Sequence, residues 1–337
     1  MRTSDFDYPL PPELIAQTPV EPRDAARLLV LDRATGGTSH RYVRDLPALL
    51  TPGDLLVGNR SRVLPARVRG RLRGAGEAEL LLLRRLDPGR WQALARPARR
   101  LRPGDTIVVE AGLRLRIAAA EPAGLREVCV ELDADGDPDA ALLAAGSVPL
   151  PPYIHGWTGD PERYQTVYAD VEGSAAAPTA GLHFTTALLD RLRQAGIGWA
   201  RLTLHVGLDT FRPVEGDDPM AHPVHREWYI VPLDVQTQVR AAKEAGRRVV
   251  AVGTTSVRAL ESWAATGRPE GWTELFILPG HRFRVVDSLL TNFHLPRSTL
   301  LMLVSAFAGR ERVLATYAAA VLERYRFFSF GDAMLIY

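Results

Sequence analysis

The sequence predicts an α/β domain interrupted by an inserted small all-β domain, a six-stranded barrel, within 337 residues. Three patterns carry this prediction. Between Val63 and Leu132, short β-favouring runs recur at roughly ten-residue spacing with turn residues between them, as in a small barrel or sandwich. From residue 155 onward, apolar strands alternate with helices closed by glycine, the pattern of an α/β layer. The first sixty residues resemble that second region rather than the barrel. Residues 1–60 and 155–337 therefore form one discontinuous domain, with 61–154 inserted. The length agrees with roughly two domains of about 150 residues, each able to bury its own core.

Arg27–Asp32 and Asp54–Val57 read as short apolar strands, with a helical turn over Arg44–Leu50 between them. Barrel strands are expected at Val63–Leu72, Ala78–Leu86, Trp91–Arg96, Thr106–Glu110, Leu113–Ala119 and Arg126–Leu132. Turns fall at Gly74-Ala75-Gly76, Asp87-Pro88-Gly89, Pro103-Gly104-Asp105, Ala111-Gly112 and Pro122-Ala123-Gly124. A barrel this narrow fills with apolar side chains, so its arginines point outward. Asp137-Pro138 opens a helix to Ala145, because aspartate caps and proline suits the first helical position. The proline-rich Val148–Ile154 then links to the second region. Helices are expected at Pro161–Ala169, Thr185–Gln194, Asp234–Ala245, Thr255–Ala265, Ser298–Ala308 and Arg310–Tyr325. Strands are expected at Trp199–Val206, Arg247–Val252, Glu274–Leu278 and part of Phe327–Ile336.

An apolar fraction of 46% with 24% charged residues excludes a collagen, a long coiled coil and a disordered chain. The lone cysteine, Cys129, excludes a disulfide framework, a Cys-x-x-Cys redox pair and a thiolate zinc site within one chain. The N-terminus lacks a signal-peptide pattern, and no apolar run reaches the ~18 residues of a spanning helix. We expect a cytoplasmic protein with no membrane partner. Charge is uneven. From Arg60 to Arg102, thirteen arginines accompany three acids, so that segment carries +10 and the rest of the chain −8. Such a basic lobe suits a polyanion. Of the 41 basic residues only Lys243 is a lysine, a skew that a GC-rich genome also produces.

The P-loop motif is absent, and Gly74-Ala75-Gly76 fails as a dinucleotide fingerprint. Gly253-Thr254-Thr255-Ser256 joins a strand to a helix, where free N–H groups could hold a carboxylate or phosphate. A plain threonine-capped turn explains it equally. No metal site is expected: Pro223 separates His222 from His225, and no H-E-x-x-H exists. Three polar stretches at element ends point to a site. They are Ala177–Thr185 with Thr179 and His183, Leu204–Arg212 with His205 and Asp209, and Thr291–Pro296 with Asn292 and His294. Ligands of open α/β sheets gather outside the carboxyl ends of strands.

The stretches Asp5–Pro11, Leu14–Gln17, Glu21–Asp24, Gly53–Val57, Arg62–Arg67, Pro149–Ile154, Arg163–Ala169, Gly173–Thr185, Leu204–Leu208, Glu227–Tyr229, Val252–Glu261, Asp287–Val304 and Tyr325–Ile336 resemble the S-adenosylmethionine:tRNA ribosyltransferase-isomerase family of queuosine biosynthesis. The resemblance spans the whole chain. It departs at Arg60, at Asp209 and around His222–Arg226, which makes Arg60 and Asp209 poorer candidates than their neighbours.

The resemblance implies transfer and isomerisation of the ribosyl moiety of S-adenosylmethionine onto 7-aminomethyl-7-deazaguanine at the tRNA wobble position, giving epoxyqueuosine, adenine and methionine. S-adenosylmethionine would be a co-substrate, with no true cofactor and no metal, and the enzyme a monomer. Under this resemblance His183, His205 and His294 are candidates for acid–base work, since an imidazole pKa near ~6.5 suits proton transfer in both directions. Glu227 and Asp332 could neutralise a sulfonium or an ammonium. Arg258 and Gly253, Thr254, Thr255 and Ser256 are candidates for the methionine carboxylate, Asn292 for the adenine or ribose edge, and Thr179 for substrate binding. His183, His205, Arg258 and His294 are expected to line one cleft. Arg62, Arg67, Arg99, Arg100 and Arg102 are the candidates for RNA. Two other readings stay open: a non-catalytic basic RNA-binding factor, and a tRNA methyltransferase using S-adenosylmethionine.

Overall fold

The computed structural model describes residues 1–72, 76–109, 112–121, 124–133, 135–207, 214, 216–222 and 226–337. The expected turn residues Gly74, Ala75, Ala111, Pro122 and Ala123 lie outside the described residues, as do Asp209 and His225. The chain packs as two compact units. One comprises Met1–Arg62, Pro151–Val171 and Ala177–Tyr337; the other comprises Val63–Leu150 with Glu172–Ala176.

Among the described residues the first unit holds a nine-stranded sheet. Its spatial order is Glu270–Thr273, Glu227–Ile230, Gly198–Leu204, Leu55–Asn59, Val249–Val252, Ser288–Asn292, Ala333–Ile336, Arg27–Leu31 and Thr38–Tyr42. The four strands from Gly198–Leu204 to Ser288–Asn292 run parallel. Strands covered on both faces need no alternation, and Val249–Val252 is buried at every position. Parallel pairing brings the carboxyl ends at Leu204, Asn59, Val252 and Asn292 to one edge. The antiparallel neighbours start there too, because Leu204 pairs with Tyr229 and Asn292 with Ala333.

Helices follow at Thr186–Gln194, Leu233–Glu244, Thr254–Thr266, Thr299–Ala308 and Arg310–Leu322. Two have side-chain caps: Thr185 Oγ1 accepts from Leu188 N at 3.0 Å, and Ser298 Oγ accepts from Leu301 N at 3.2 Å.

Four expectations needed correction. The strand expected at Val63–Leu72 starts only at Arg67, because Val63 ends a separate short strand, Ser61–Val63. The stretch Pro161–Ala169 is helical only as a short 3-10 turn, Pro161–Tyr164, because Tyr164, Gln165 and Thr166 are buried in succession and leave no solvent face. The strand expected at Glu274–Leu278 lies earlier, at Glu270–Thr273. Leu275 leaves the ladder because its N–H bonds the Thr273 hydroxyl and its carbonyl accepts from Arg258. Thr291 and Asn292, read as loop, complete the buried strand Ser288–Asn292.

The second unit is a closed six-stranded barrel. Around it the strands run Leu125–Leu132, Arg90–Arg96, Gly76–Asp87, Arg67–Leu72, Thr106–Val108 and Leu113–Ala120, and the last pairs with the first. Alternation fills the interior: Leu80 and Leu82, Trp91, Ala93 and Ala95, and Leu113, Leu115 and Ile117 all point in. The long strand Gly76–Asp87 breaks register twice along Arg90–Arg96, which lets it curl around the barrel. At Gly70 a Cβ would stand 2.6 Å from the Val108 carbonyl, so only glycine passes there. Asp137 caps the helix Pro138–Ala144, which sends Leu142 into the barrel core. The outward rule holds for most arginines, but Arg126 is an exception at 8% exposure.

Candidate active site

One edge of the first unit's sheet collects the candidate residues, and Asn292 is the hub at its centre. The Asn292 amide donates to the Phe328 carbonyl at 3.1 Å and to His183 Nε2 at 3.2 Å, while its oxygen accepts from Thr179 Oγ1 at 3.0 Å. An imidazole nitrogen that accepts from an amide carries no proton, so His183 is neutral with its hydrogen on Nδ1. Burial first, then the Arg23 and Arg326 cations, depress the His183 pKa to about 4.

His294 lies two residues beyond Asn292. Its Nε2 is 2.7 Å from Thr291 Oγ1, and burial lowers its pKa to about 3. Thr179, Asn292, His294, Tyr153, Phe328 and Ser329 line a small recess. His183 with Arg23, Arg163 and Ser329 lines a second small recess. Ser329 borders both recesses and shares a 2.6 Å hydrogen bond with the Tyr153 hydroxyl. It is held by Phe328, whose backbone is left-handed at φ 71. A bulky residue pays for that conformation in strain, a feature that clusters at functional sites. Ser329, Tyr153 and Arg23 all belong to stretches that carry the family resemblance. Sequence reasoning passed over them because hydroxyls and a lone arginine have no diagnostic spacing.

The other end of the edge is built on Glu227. Its carboxylate forms a buried ion pair with Arg258 Nη1 and accepts from Gly207 N at 3.1 Å. Glu227 is thus engaged with a cation of the protein itself. Arg258 Nε donates to the Leu275 carbonyl at 3.1 Å, and buried Nη2 has no hydrogen-bond partner among the described residues. One turn earlier on the same helix, the Thr255 hydroxyl is buried and also unpartnered. Gly253 precedes this helix with no side-chain cap, so its first N–H groups lack intrahelical acceptors. Three kinds of donor without acceptors therefore accompany the start of Thr254–Thr266. Ser256 is different, since its hydroxyl bonds back to the Val252 carbonyl at 2.8 Å.

Gly253 has φ 87 and ψ 155, a region essentially reserved for glycine. A Cβ there meets Ala180 at an ordinary 3.5 Å, so the cost of Gly253→Ala is in the backbone. We expect that variant to lose about 1–3 kcal/mol of stability and to displace the helix start. Unchanged urea midpoints would contradict this.

His205 follows the strand Gly198–Leu204 directly. Its N–H bonds the Trp228 carbonyl at 2.9 Å and its Nδ1 is 3.4 Å from Ser61 Oγ. It is only half-buried, and burial lowers its pKa.

The candidates stand in two groups along this edge: His205, Glu227 and Arg258 line neither of these two recesses, and the strand that ends before His205 lies three spacings of ~4.8 Å, roughly 14 Å, from that of Asn292. Asp332 accepts from Arg27 N and Arg326 N, both at 2.8 Å, and desolvation raises its pKa. Its oxygens tie backbone segments together. Among the described residues no three His, Cys, Asp or Glu side chains form a metal-ligand group, and no helix is long and apolar enough to cross a membrane.

Burial keeps His183 and His294 neutral at neutral pH. They make stability pH-dependent. The unfolded chain protonates them at 6.5 and the native fold resists until about 4 (His183) or 3 (His294). Stability is full above pH 6.5 and falls as pH drops, on the order of 1 kcal/mol per unit for each histidine. Unfolding midpoints between pH 7.5 and 4.5 should show a shallower decline for His183→Gln than for the parent. Superimposable curves would remove His183 as a source.

The barrel arginines divide as well. Arg62 pairs with Glu162, and Arg67 lies 3.8 Å from Glu79 while donating to the Leu150 carbonyl. Arg99, Arg100 and Arg102 are exposed and make no ion pair among the described residues.

A family model described as queuosine biosynthesis protein matches residues 3–336. S-adenosylmethionine:tRNA ribosyltransferase-isomerases of Symbiobacterium thermophilum and Moorella thermoacetica are 55% and 54% identical, each alignment covering 100% of both chains. The crystal structure of S-adenosylmethionine tRNA ribosyltransferase from Thermotoga maritima is similar with a TM-score of 0.58. It is 41% identical, covering 99% of this chain and 100% of that one.

Proposed function

The chain belongs to the queuosine biosynthesis protein family, and from that premise we propose that it is an S-adenosylmethionine:tRNA ribosyltransferase-isomerase. It moves the ribosyl moiety of S-adenosylmethionine onto 7-aminomethyl-7-deazaguanine at the wobble position and rearranges it to the epoxycyclopentanediol of epoxyqueuosine. Adenine and methionine leave. One observation supports this reading most: His205, Glu227, Gly253–Ser256, Asn292 and His294 all lie along the carboxyl edge of four parallel strands.

The two groups on that edge suit the two ends of one extended substrate. The unpartnered donors of Thr255 and Arg258, with the uncapped helix start, take the methionine carboxylate. Glu227 orients Arg258. Tyr153, Phe328 and Asn292 contact the nucleoside, since aromatic surface and a few convergent polar groups lie side by side there. Thr179 fixes the Asn292 amide, and His183 presents Nδ1–H as a neutral donor. The sulfonium acidifies the neighbouring C–H and is the leaving group, so the protein needs a base rather than an electrophile. His205 fits best, because the deeper burial of His183 and His294 makes them far weaker bases. The exposed barrel arginines take the RNA backbone.

Free adenine is the diagnostic product. Incubation of the protein with S-adenosylmethionine and precursor tRNA should release it in step with RNA modification. S-adenosylhomocysteine in its place would identify a methyltransferase, and no product a binding factor.

A further inference from the structure

We infer that buried Arg126 is a positioning residue, which locks the exposed arginines of the 97–105 loop into a preorganised grip for the RNA phosphate backbone. This rests on the proposed RNA role of those arginines. Arg126 stands opposite Ala93 in the inward-facing row of the barrel, where its neighbour two residues on is buried Val128. Its side chain is largely buried, at 8% exposure. Nε donates to the Leu101 carbonyl at 2.8 Å, Nη2 to the Ala98 carbonyl, and Nη1 to the Leu125 carbonyl at 2.6 Å. No carboxylate pairs with it among the described residues.

Two of the three carbonyls belong to the 3-10 turn Ala98–Arg100 and the residue after it. From that short segment Arg99, Arg100 and Arg102 project into solvent, with exposed Arg96 just before. Leu101 between them is 1% exposed and plugs the barrel core. Arg102 N is held by Asp105 Oδ2 at 2.7 Å. The loop is therefore pinned from inside at Ala98 and Leu101 and closed at Asp105.

As a stability device this is poor. A buried cation without a counter-charge is costly, and here it lies beneath four further cations that already repel one another. A polyanion bound outside relieves that repulsion. What the guanidinium supplies is geometry: its planar fork spans two carbonyls three residues apart, which a lysine ammonium cannot. A fixed loop loses less freedom on binding and so binds more tightly.

The test uses a labelled tRNA transcript and the full chain, with affinity measured at several salt concentrations. The triple variant Arg99→Ala, Arg100→Ala, Arg102→Ala should flatten the log–log salt slope by about 2. Arg126→Met, apolar and of similar length, should weaken binding about tenfold with most of the slope retained. In the triple-variant background Arg126→Met should add nothing, since the side chains it positions are gone. Arg126→Lys should fall between parent and methionine variant, and it decides the question if the methionine variant does not fold. An equal loss in both backgrounds would overturn the positioning role, as would Arg126→Met and Arg126→Lys proteins that bind like the parent while the triple variant is impaired. A triple variant that binds as the parent does would instead overturn the RNA surface itself.

Discussion

Arg258→Met should destabilise the protein by about 3–5 kcal/mol, because it breaks the buried Glu227–Arg258 ion pair. The side chains are 14% and 4% exposed, so solvent cannot take over the lost partner. Glu227→Gln combined with Arg258→Met should recover much of that loss by removing the buried carboxylate charge as well. The double variant then isolates the second role of Arg258. Folded but without the guanidinium, it should bind S-adenosylmethionine at least about tenfold more weakly, the loss of one charge-assisted contact to a carboxylate. Calorimetric titration of the parent and the double variant decides this. Equal affinities would place the carboxylate elsewhere, and a stable Arg258→Met single variant would contradict the buried ion pair as drawn.

His205→Gln should lower turnover by about 10²–10⁴-fold, the usual contribution of a general base, with little change in S-adenosylmethionine affinity. The neutral form is active, so the parent's rate should rise with pH and reach its plateau above the His205 pKa. Burial sets that pKa below 6.5, and the acid limb should be centred below 6.5 accordingly. His183→Gln should be milder in turnover and should weaken substrate binding. An inverted order, with His183→Gln the more damaging in turnover and His205→Gln near normal, would exchange their roles.

Much of the fold was legible because its signals are local. The barrel strands declared themselves by alternation of apolar and arginine residues between glycine and proline turns. Val249–Val252 declared itself as a run that only a doubly covered strand can carry. Asp137, Thr185 and Ser298 marked helix starts by cap chemistry. Ser288–Asn292 escaped notice because its end is polar, and polar residues can finish a buried strand only when distant partners satisfy them. For Asn292 those partners are Thr179, His183 and Phe328, at separations of 113, 109 and 36 residues. Arg126 escaped for a similar reason. It was one arginine among forty until backbone carbonyls from another turn enclosed it.

Residue types and their local order determined the class of the chain, its barrel insertion, its uneven charge and, through resemblance, the positions where chemistry is expected. The tertiary structure alone decided how those positions divide. It joined Glu227 to Arg258, left Thr255 and one Arg258 nitrogen without acceptors, buried His183 and His294 as neutral rings, and kept His205 partly wet. Those outcomes depend on which strands lie side by side and how much water reaches each group. Hydrogen-bond partners and desolvation are properties of the space around a side chain, and that space is filled by residues far away in the sequence.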